Sequence, residues 1–255
     1  MSLPLARRSI LVTRPVAQSA GLANSIRDAG GEAVVFPAIE IQPVVSDLLT
    51  QQIDQLHTFN AAIFISPNAA QYGVAAVRVR REFPTPLSVY ALGSGTAREL
   101  AQHGLPDAIQ PEGADSEALL ALPQLQKISG QRIIIFRGVG GRELLAETLK
   151  ARGAHVEYAE SYARALPEAD ATPLLQQWAH GGIHAVTITS AETLRNLAAL
   201  LGHEGARYLR ATPVFAPHEK IAEAARQFAL TQVITTASGD AGLLSGLITW
   251  FNTHV

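Results

Sequence analysis

The chain has no cysteine among its 255 residues, and this absence limits its chemistry. Disulfides, thiolate metal sites and a cysteine nucleophile are all excluded. No segment approaches the ~20 apolar residues that a membrane-spanning helix needs. The start, MSLPLARRSILV, lacks the apolar core and the cleavage site of a secretion signal. We therefore expect a cytoplasmic protein.

Charge is also scarce. Charged residues make up 16% of the chain, hydrophobic residues make up 47%, and the formal net charge is −2. Such a composition is typical of a compact, core-rich protein and excludes a disordered one. It provides no electrostatic footprint for nucleic acid or for an anionic membrane. We expect a monomer with a small-molecule partner, and any anion that binds must be held by local groups.

Motifs for cofactors and metals are missing too. Gly93 and Gly95 are followed by Arg98 where the dinucleotide pattern GxGxxG needs a third glycine, and neither GxxxxGK[ST] nor GxSxG occurs. His180 and His184 have helical spacing, but the two glycines between them disfavour a helix. We expect neither a cofactor nor a metal.

An internal repeat is the strongest signal that is present. Residues 131–164 have the pattern of a strand, a tight turn, a helix and a second strand, with Arg137 in the turn and Gly153 ending the helix. The opening of the chain repeats this design, with Arg14 and Gly30 in the same places. A second matched pair of segments is Ile63–Ser66 with Thr187–Ser190. The repeat indicates one ancestral α/β unit that was duplicated.

Strands alternate with helical segments in both copies, which predicts parallel sheets covered by helices on both faces. The predicted strands outside the first repeat are Ala61–Ile65, Ser88–Leu92, a short strand near Ala108, Ala185–Thr189, Val214–Ala216 and Gln232–Thr235. Proline marks a connector in each copy, FPAIEI and SYARAL. The residues leave two layouts open. The chain divides into consecutive halves near Gln126, or the connectors cross and the opening segment joins the end of the chain.

Ligands of such sheets bind beyond the carboxyl ends of the strands, so the residues at these ends are the candidates. Most are small or carry hydroxyls, and nearly all open a helix, where free N–H groups attract anions. A site for several negative groups is one interpretation; ordinary N-capping is the other, and for any single residue we favour capping. The candidates are Thr13, Arg14, Ser66, Asn68, Gly93, Ser94, Gly95, Thr96, residues 112–116, Arg137, Gly138, residues 139–140, Thr189, Ser190, His218, Glu219, Ser238 and Gly239.

Two kinds of side chain stand out among them. Arg14 and Arg137 can bind a carboxylate through two hydrogen bonds, or can tie loops together. Tyr162 in the second connector can pack, or can donate from its phenol to a ligand.

The segments ILVTRP, FPAIEI, ISPNA and FRGVGGREL, with ARGAHVEYAESY, resemble the uroporphyrinogen-III synthase family over essentially the whole chain. The resemblance implies two similar α/β lobes, each a parallel sheet flanked by helices and flavodoxin- or Rossmann-like, joined by a two-stranded linker. It favours the crossed layout. The implied layout is lobe 1 at 1–37 and 168–255, lobe 2 at 43–162, and linker strands at 38–42 and 163–167.

The resemblance also implies a reaction. Family members cyclise hydroxymethylbilane, a linear tetrapyrrole with acetate and propionate on every ring, to uroporphyrinogen III. They invert the last pyrrole, lose water and use no cofactor, and the preceding enzyme of the pathway can hand the substrate over. Tyr162 matches the family's linker tyrosine, a candidate to help hydroxide leave. Matches to the cleft loops are Ser66, Asn68, Thr189 and Ser190.

One loop departs from the family pattern. Ala216–Glu219 occupies a place where many members have glycine and threonines, so that His218 is a substitute donor and Glu219 would repel carboxylates unless it is turned away. The alternative to the lyase is a non-catalytic two-lobe binding protein for a small polyanion. A nucleotide-dependent transferase is disfavoured by the missing phosphate loops.

Overall fold

Two five-stranded sheets organise this computed structural model, which describes residues 3–141 and 143–254. In chain order the elements are β1 (Ser9–Val12), α1 (Val16–Asp28), β2 (Glu32–Val35), β3 (Glu40–Pro43), α2 (Asp47–Asp54), β4 (Ala61–Phe64), α3 (Pro67–Arg78), β5 (Ser88–Ala91), α4 (Ser94–Gln102), α5 (Ser116–Leu120), β6 (Arg132–Gly138), α6 (Leu144–Ala151), β7 (His155–Ala165), α7 (Thr172–Ala179), β8 (Ala185–Thr187), α8 (Ala191–Ala211), β9 (Val214–Ala216), α9 (Glu219–Arg226), β10 (Val233–Thr235) and α10 (Gly239–Thr253). Short 3₁₀ turns lie at Leu56–Thr58 and Pro123–Leu125.

The contacts within the chain define two compact units. Unit 1 comprises the chain up to Glu40 and from Ala165 onward, and unit 2 comprises Ile41–Arg164. Each unit contains one sheet, apart from the first residue of β3 and the last residue of β7, which both fall in unit 1. Unit 1 is thus built from two separate stretches of the chain.

The sheet of unit 1 has the strand order β2-β1-β8-β9-β10, and all of its strand pairs are parallel. Numbered within the unit, this order is 2-1-3-4-5, that of flavodoxin-like folds. Helices α7, α8 and α9 cover one face with apolar side chains, and α1 and α10 cover the other. The predicted helix-covered parallel sheet is therefore confirmed.

The sheet of unit 2 has the order β3-β7-β6-β4-β5, and a bridge from Tyr90 to Ile109 extends it beyond β5. From β7 to this bridge the order matches that of unit 1, with β6 in the place of β1 and β4 in the place of β8. Ile134 and Phe136 pack towards α2, α3 and α4, whereas Ile133 and Ile135 pack towards α5 and α6. The internal repeat of the sequence is therefore a repeat of topology.

Matching glycines end the first helix of each repeat. Gly30 follows α1 with φ of 86°, and Gly153 follows α6 with φ of 87°. Both lie in the left-handed region, which favours glycine because it has no Cβ. The predicted helix ends are therefore set by the same backbone conformation in both units.

Some elements differ from the sequence-based expectation. The helices α2 and α7 were not predicted; each has only eight residues, about two turns, so hydrophobic periodicity gives little signal. The strand expected near Ala108 is a single bridge at Ile109. Within the described residues, no helix is both long and apolar enough to cross a membrane.

Candidate functional site

The carboxyl ends of the strands form a switch point in each sheet, between β1 and β8 in unit 1 and between β6 and β4 in unit 2. In open α/β sheets this is where ligands bind, because the chain leaves the two neighbouring strands in opposite directions and opens a crevice. Several of the predicted residues lie at one of these two places. The unit 1 group is Thr13, Arg14, Thr189 and Ser190, and the unit 2 group is Ser66, Asn68, Arg137 and Gly138.

Tyr162 joins the switch point of unit 2. In the pairing of β6 with β7, Tyr162 lies opposite Gly138, at the point where the strand register shifts. The ring lies directly on Gly138, since a Cβ added to this glycine would be 2.7 Å from two ring carbons. The phenol oxygen is 3.2 Å from the Ser66 hydroxyl. Tyr162 is 4% exposed, so that its ring is fixed and its hydroxyl is held at the end of β4.

Ser66 begins helix α3 and has two contacts. Its hydroxyl accepts a hydrogen bond from the backbone N–H of Ala69 at 3.0 Å, which is an N-cap, and it also contacts the Tyr162 hydroxyl. Asn68 follows in the first turn of the same helix. The cap that was predicted for this serine is therefore present, and its hydroxyl also lies beside the Tyr162 phenol.

Arg137 is buried although it carries a charge, with 2% of its side chain exposed. Its Nη1 donates to Glu143 Oε1 at 3.1 Å, its Nε donates to the Gly138 carbonyl at 3.3 Å, and its guanidinium stacks 4.4 Å from the centre of the Tyr158 ring. Its Nη2 has no hydrogen-bond partner among the described residues. The arginine is thus anchored through Nη1 and Nε, and its Nη2 is the donor that no described residue accepts from.

Glu143 and Tyr158, which anchor Arg137, were not identified from the sequence. The Tyr158 hydroxyl donates to Glu143 Oε2 at 2.5 Å. This bond, together with Arg137, holds the pKa of Glu143 below its usual value. Burial, then the neighbouring carboxylate, raise the pKa of Tyr158 to about 12. The trio is thus a cation, an anion and a neutral phenol at neutral pH.

At the switch point of unit 1 the polar groups bind one another. The Thr13 hydroxyl is buried and donates to the Thr187 carbonyl at 2.7 Å, while the Thr187 hydroxyl donates to the Leu11 carbonyl at 3.1 Å. Arg14 forms an ion pair with Asp240 of α10. Asp240 could not be foreseen, since it lies 226 residues further along the chain.

Ser190 is the N-cap of α8. Its hydroxyl accepts from the Thr193 backbone N–H at 3.0 Å and lies 2.8 Å from the Thr193 hydroxyl. Thr189, half-buried, precedes it. Both residues are at the expected end of β8, but the cap hydroxyl already contacts its own helix.

The candidate residues that follow β5 differ in how far they are exposed. Gly93 precedes α4, and a Cβ there would be 2.9 Å from the Cβ of Ala114. Ser94 and Gly95 are exposed in the first turn of α4, whereas Thr96 is buried. Of these residues, only Ser94 and Gly95 present open surface to a ligand.

His218 lies exposed before α9, with its Nδ1 3.5 Å from the Ser238 hydroxyl. Glu219 is held by the Thr235 hydroxyl at 2.6 Å and by Arg226. These two donors, Thr235 first, keep the pKa of Glu219 below its usual value. The Glu219 carboxylate, which was expected to repel a substrate unless turned away, is therefore bound by partners within its own unit.

The described part of the chain contains no cluster of three His, Cys, Asp or Glu side chains that could hold a metal ion. What the two switch points offer is hydrogen-bond donors: hydroxyls, helix N-termini and one buried guanidinium with an unused N–H edge. Such groups bind and orient anions, and a fixed phenol can deliver a proton.

Comparison with known proteins identifies a family for this chain. The family model described as uroporphyrinogen-III synthase HemD matches residues 20–244. The uroporphyrinogen-III synthase of Salmonella typhimurium is 38% identical over 197 residues, which is 75% of this chain and 79% of the relative. That of Escherichia coli is 35% identical over 198 residues, or 76% of this chain and 80% of the relative.

A solved structure shares the fold. The crystal structure of a mutant uroporphyrinogen III synthase from Thermus thermophilus superposes with a TM-score of 0.59, covering 96% of this chain and 98% of the other at 16% identity. At that identity the likeness concerns the fold, and the family model and the bacterial relatives carry the assignment. The chain belongs to the uroporphyrinogen-III synthase family.

Proposed function

We propose that this protein is a cofactor-independent lyase that converts hydroxymethylbilane to uroporphyrinogen III in tetrapyrrole biosynthesis, which leads to haem and sirohaem. The observation that carries the proposal is the family match over residues 20–244, joined by relatives of 38% and 35% identity. The donor-rich strand ends suit the substrate, since each of its four rings bears an acetate and a propionate.

The reaction closes the ring with the last pyrrole inverted. The C–O bond of the hydroxymethyl group breaks, hydroxide takes a proton and leaves as water, and an azafulvene cation remains. The substituted carbon of the last ring attacks this cation to form a spiro intermediate, which fragments and recloses in the reversed sense with loss of a proton. Because no step needs an enzyme nucleophile, the protein acts by holding the chain so that one attack geometry is favoured.

Tyr162 is the proposed proton donor to the departing hydroxide. Its ring is fixed against Gly138, and its hydroxyl is 3.2 Å from the Ser66 hydroxyl, which can orient the phenol proton. A positioned acid of this kind contributes roughly 10²–10⁴-fold to a rate.

The proposed substrate-binding residues provide hydroxyl, backbone and guanidinium donors to the carboxylates. Exposed or half-buried members such as Ser94, Gly95 and His218 can act directly, whereas buried Thr13 and Thr96 act through the backbone conformation that they hold. The full set is Thr13, Arg14, Ser66, Asn68, Gly93, Ser94, Gly95, Thr96, Arg137, Gly138, Thr189, Ser190 and His218.

The proposal extends to the organisation of the chain. Residues 38–42 and 163–167 are proposed as the strands that link lobe 1 (1–37 and 168–255) to lobe 2 (43–162), which is supported by unit boundaries at Glu40 and Arg164. We further propose a monomeric cytoplasmic enzyme that receives its substrate from the preceding enzyme of the pathway. Sedimentation of the purified protein, alone and mixed with that enzyme, would test both the monomer and the handover.

The activity itself is tested by supplying the purified protein with freshly made hydroxymethylbilane, oxidising the products and separating the uroporphyrin isomers by chromatography. Predominant isomer III is the expected result. The substrate closes spontaneously to isomer I, so isomer I alone, at the rate seen without protein, would contradict the proposal.

A further inference from the structure

A pocket of unit 2 lies on the opposite face of the sheet from Tyr162. It has a volume of about 280 Å³ and lies at the carboxyl ends of β4, β5 and β6, beside α5 and α6. Its walls are mostly apolar, from Ile65, Leu92, Ile135 and Leu144. An apolar pocket with a few fixed polar groups is typical of a small-molecule site.

The polar end of this pocket is Arg137. Arg137 lines the cavity, and only 2% of its side chain is exposed. Its Nη2 is buried and has no partner in the described residues. A buried N–H without an acceptor costs folding free energy, and a charged group costs more. A ligand oxygen that accepts from Nη2 removes this cost, so the pocket is suited to an acceptor.

The start of helix α6 adds a second source of positive potential. Leu144 and Leu145, its first residues, line the pocket, and no side chain caps its N-terminus. The first N–H groups of a helix and its dipole favour an anion. The guanidinium and the helix start therefore favour the same kind of ligand.

Acidic residues near the pocket do not cancel this preference. Glu143 is 54% exposed and is satisfied by Arg137 and Tyr158. Asp115 and Glu117 are exposed on the lining, and Asp115 is occupied as the N-cap that accepts from the Ala118 N–H at 2.7 Å. Exposed charges are screened by water and salt, whereas the buried guanidinium is not.

We propose that this pocket is a subsite for one carboxylate on a short apolar stem, which on the proposed function is an acetate or propionate side chain of the tetrapyrrole. The carboxylate accepts from Arg137 Nη2 at the inner end, and the stem packs against Leu92 and Leu144. The subsite anchors one ring on the face of the sheet away from Tyr162, and so helps to fix which ring meets the phenol.

The test measures binding rather than turnover, with uroporphyrin III as a stable octacarboxylate probe titrated by fluorescence. Arg137→Gln removes the charged donor and should raise Kd at least about tenfold, as expected when a hydrogen bond to a charged group is lost. Leu144→Trp fills the pocket and leaves the arginine in place, and should raise Kd by a similar factor. Leu48→Trp on α2, where Leu48 is 61% exposed and not part of the pocket, is the matched control and should leave Kd unchanged.

The outcomes separate the subsite from the proposed function. If the wild type makes isomer III but both Arg137→Gln and Leu144→Trp bind the probe as it does, the subsite is refuted and the function stands. If no isomer III forms, the function fails, and a raised Kd in both variants still supports the subsite. Because Arg137→Gln could impair folding, Leu144→Trp decides in that case. A titration with sodium glutarate tests whether the pocket takes a free dicarboxylate instead. If glutarate binds to the wild type and loses affinity in Leu144→Trp, while the uroporphyrin Kd is the same in both proteins, the assignment to a tetrapyrrole is overturned.

Discussion

Two serines at equivalent strand ends differ in their second contact. Ser66 in unit 2 and Ser190 in unit 1 each cap the following helix with a hydrogen bond of 3.0 Å. Beyond the cap, Ser190 contacts Thr193 of its own helix, whereas Ser66 contacts the Tyr162 phenol on another strand. Both units thus keep the helix cap, and of the two capping serines it is Ser66 that also contacts a phenol on another strand.

The rest of each switch point follows the same contrast. At the repeat spacing that places Arg14 on Arg137, Ile39 takes the place of Tyr162. Arg14 is paired with Asp240, and Thr13 with a strand carbonyl, whereas Arg137 retains an unpaired N–H edge among the described residues. At the switch point of unit 1 the polar side chains are thus paired with one another, whereas at that of unit 2 Arg137 Nη2 has no partner among the described residues. Two copies of one fold can therefore differ in their sites.

The largest effect is expected from Tyr162→Phe, which removes the phenol that takes the place of Ile39 in the repeat. We expect kcat to fall about 100-fold, at the low end of acid catalysis, with little change in KM, since the ring still packs on Gly138. Steady-state kinetics with isomer analysis provides the measurement.

Tyr72→Phe is the control for that substitution. Its ring is 6.0 Å from the Tyr162 ring, and its hydroxyl donates to the Ile41 carbonyl at 3.0 Å. Removing this hydroxyl deletes one hydrogen bond of the same unit without touching the proposed acid. Equal kcat values for the two variants would assign no special role to Tyr162.

Substitutions at the paired glycines test what the two units share. Gly30→Ala and Gly153→Ala each force alanine into a left-handed conformation, which costs about 1–2 kcal/mol of unfolding free energy. The loss should be greater at Gly30, where the new Cβ would be 2.5 Å from Leu3, than at Gly153, where it would be 2.8 Å from Ser129. Urea denaturation measures both.

A third glycine separates backbone strain from crowding. Gly181 has φ of 75°, and nothing lies within 4 Å of a Cβ added there. Gly181→Ala should therefore be the mildest of the three variants. The crowding argument is lost if it destabilises the protein as much as Gly30→Ala does.

The capping serines should lose similar stability on removal. Ser66→Ala and Ser190→Ala each delete one N-cap bond, which is worth about 1 kcal/mol. We expect Ser66→Ala to lower kcat in addition, because the Tyr162 hydroxyl loses its neighbour. Stability curves and kinetics on the same two preparations test this pair, and a kcat unchanged by Ser66→Ala would mean that the serine only caps.

The fold could be predicted from the sequence because each repeated segment has a pattern that is local. Apolar strands, helix-ending glycines and hydroxyls that open helices all depend on a few neighbouring residues, and the parallel, helix-covered sheets follow from their alternation. The same reasoning located Ser66 and Arg137 at strand ends and Tyr162 in a connector, but their roles stay predictions.

What it missed depends on how the side chains pack in the folded chain. The partners of the two arginines, Asp240 and Glu143, are chosen by packing and not by spacing. The burial of Thr13 and Thr96 cannot be distinguished from exposure in a sequence, where both are simply hydroxyls at strand ends. That no described residue accepts from Arg137 Nη2 is likewise a property of the three-dimensional packing around it.

The smallest expected effect comes from the opposite ends of the strands, where the two units make the same bond with different acceptors. In unit 1 the Ser9 N–H donates to His184 Nδ1 at 3.0 Å, and in unit 2 the Arg132 N–H donates to Asn60 Oδ1 at 2.9 Å. Only the imidazole titrates. Burial, then the nearby charge of Arg8, lower the pKa of His184, and Glu32 only partly opposes them.

A lowered pKa means that the folded state prefers neutral His184, so the stability from this residue is complete above its unfolded pKa of about 6.5 and is lost as pH falls below it. His184→Asn gives unit 1 the acceptor of unit 2 and should remove this part of the acid sensitivity. Urea denaturation of both proteins at about pH 5 and pH 7.5 provides the measurement. The wild type should lose more unfolding free energy between the two conditions than His184→Asn. Equal losses would show that protonation of His184 does not oppose its bond to Ser9, and that the two acceptors are equivalent.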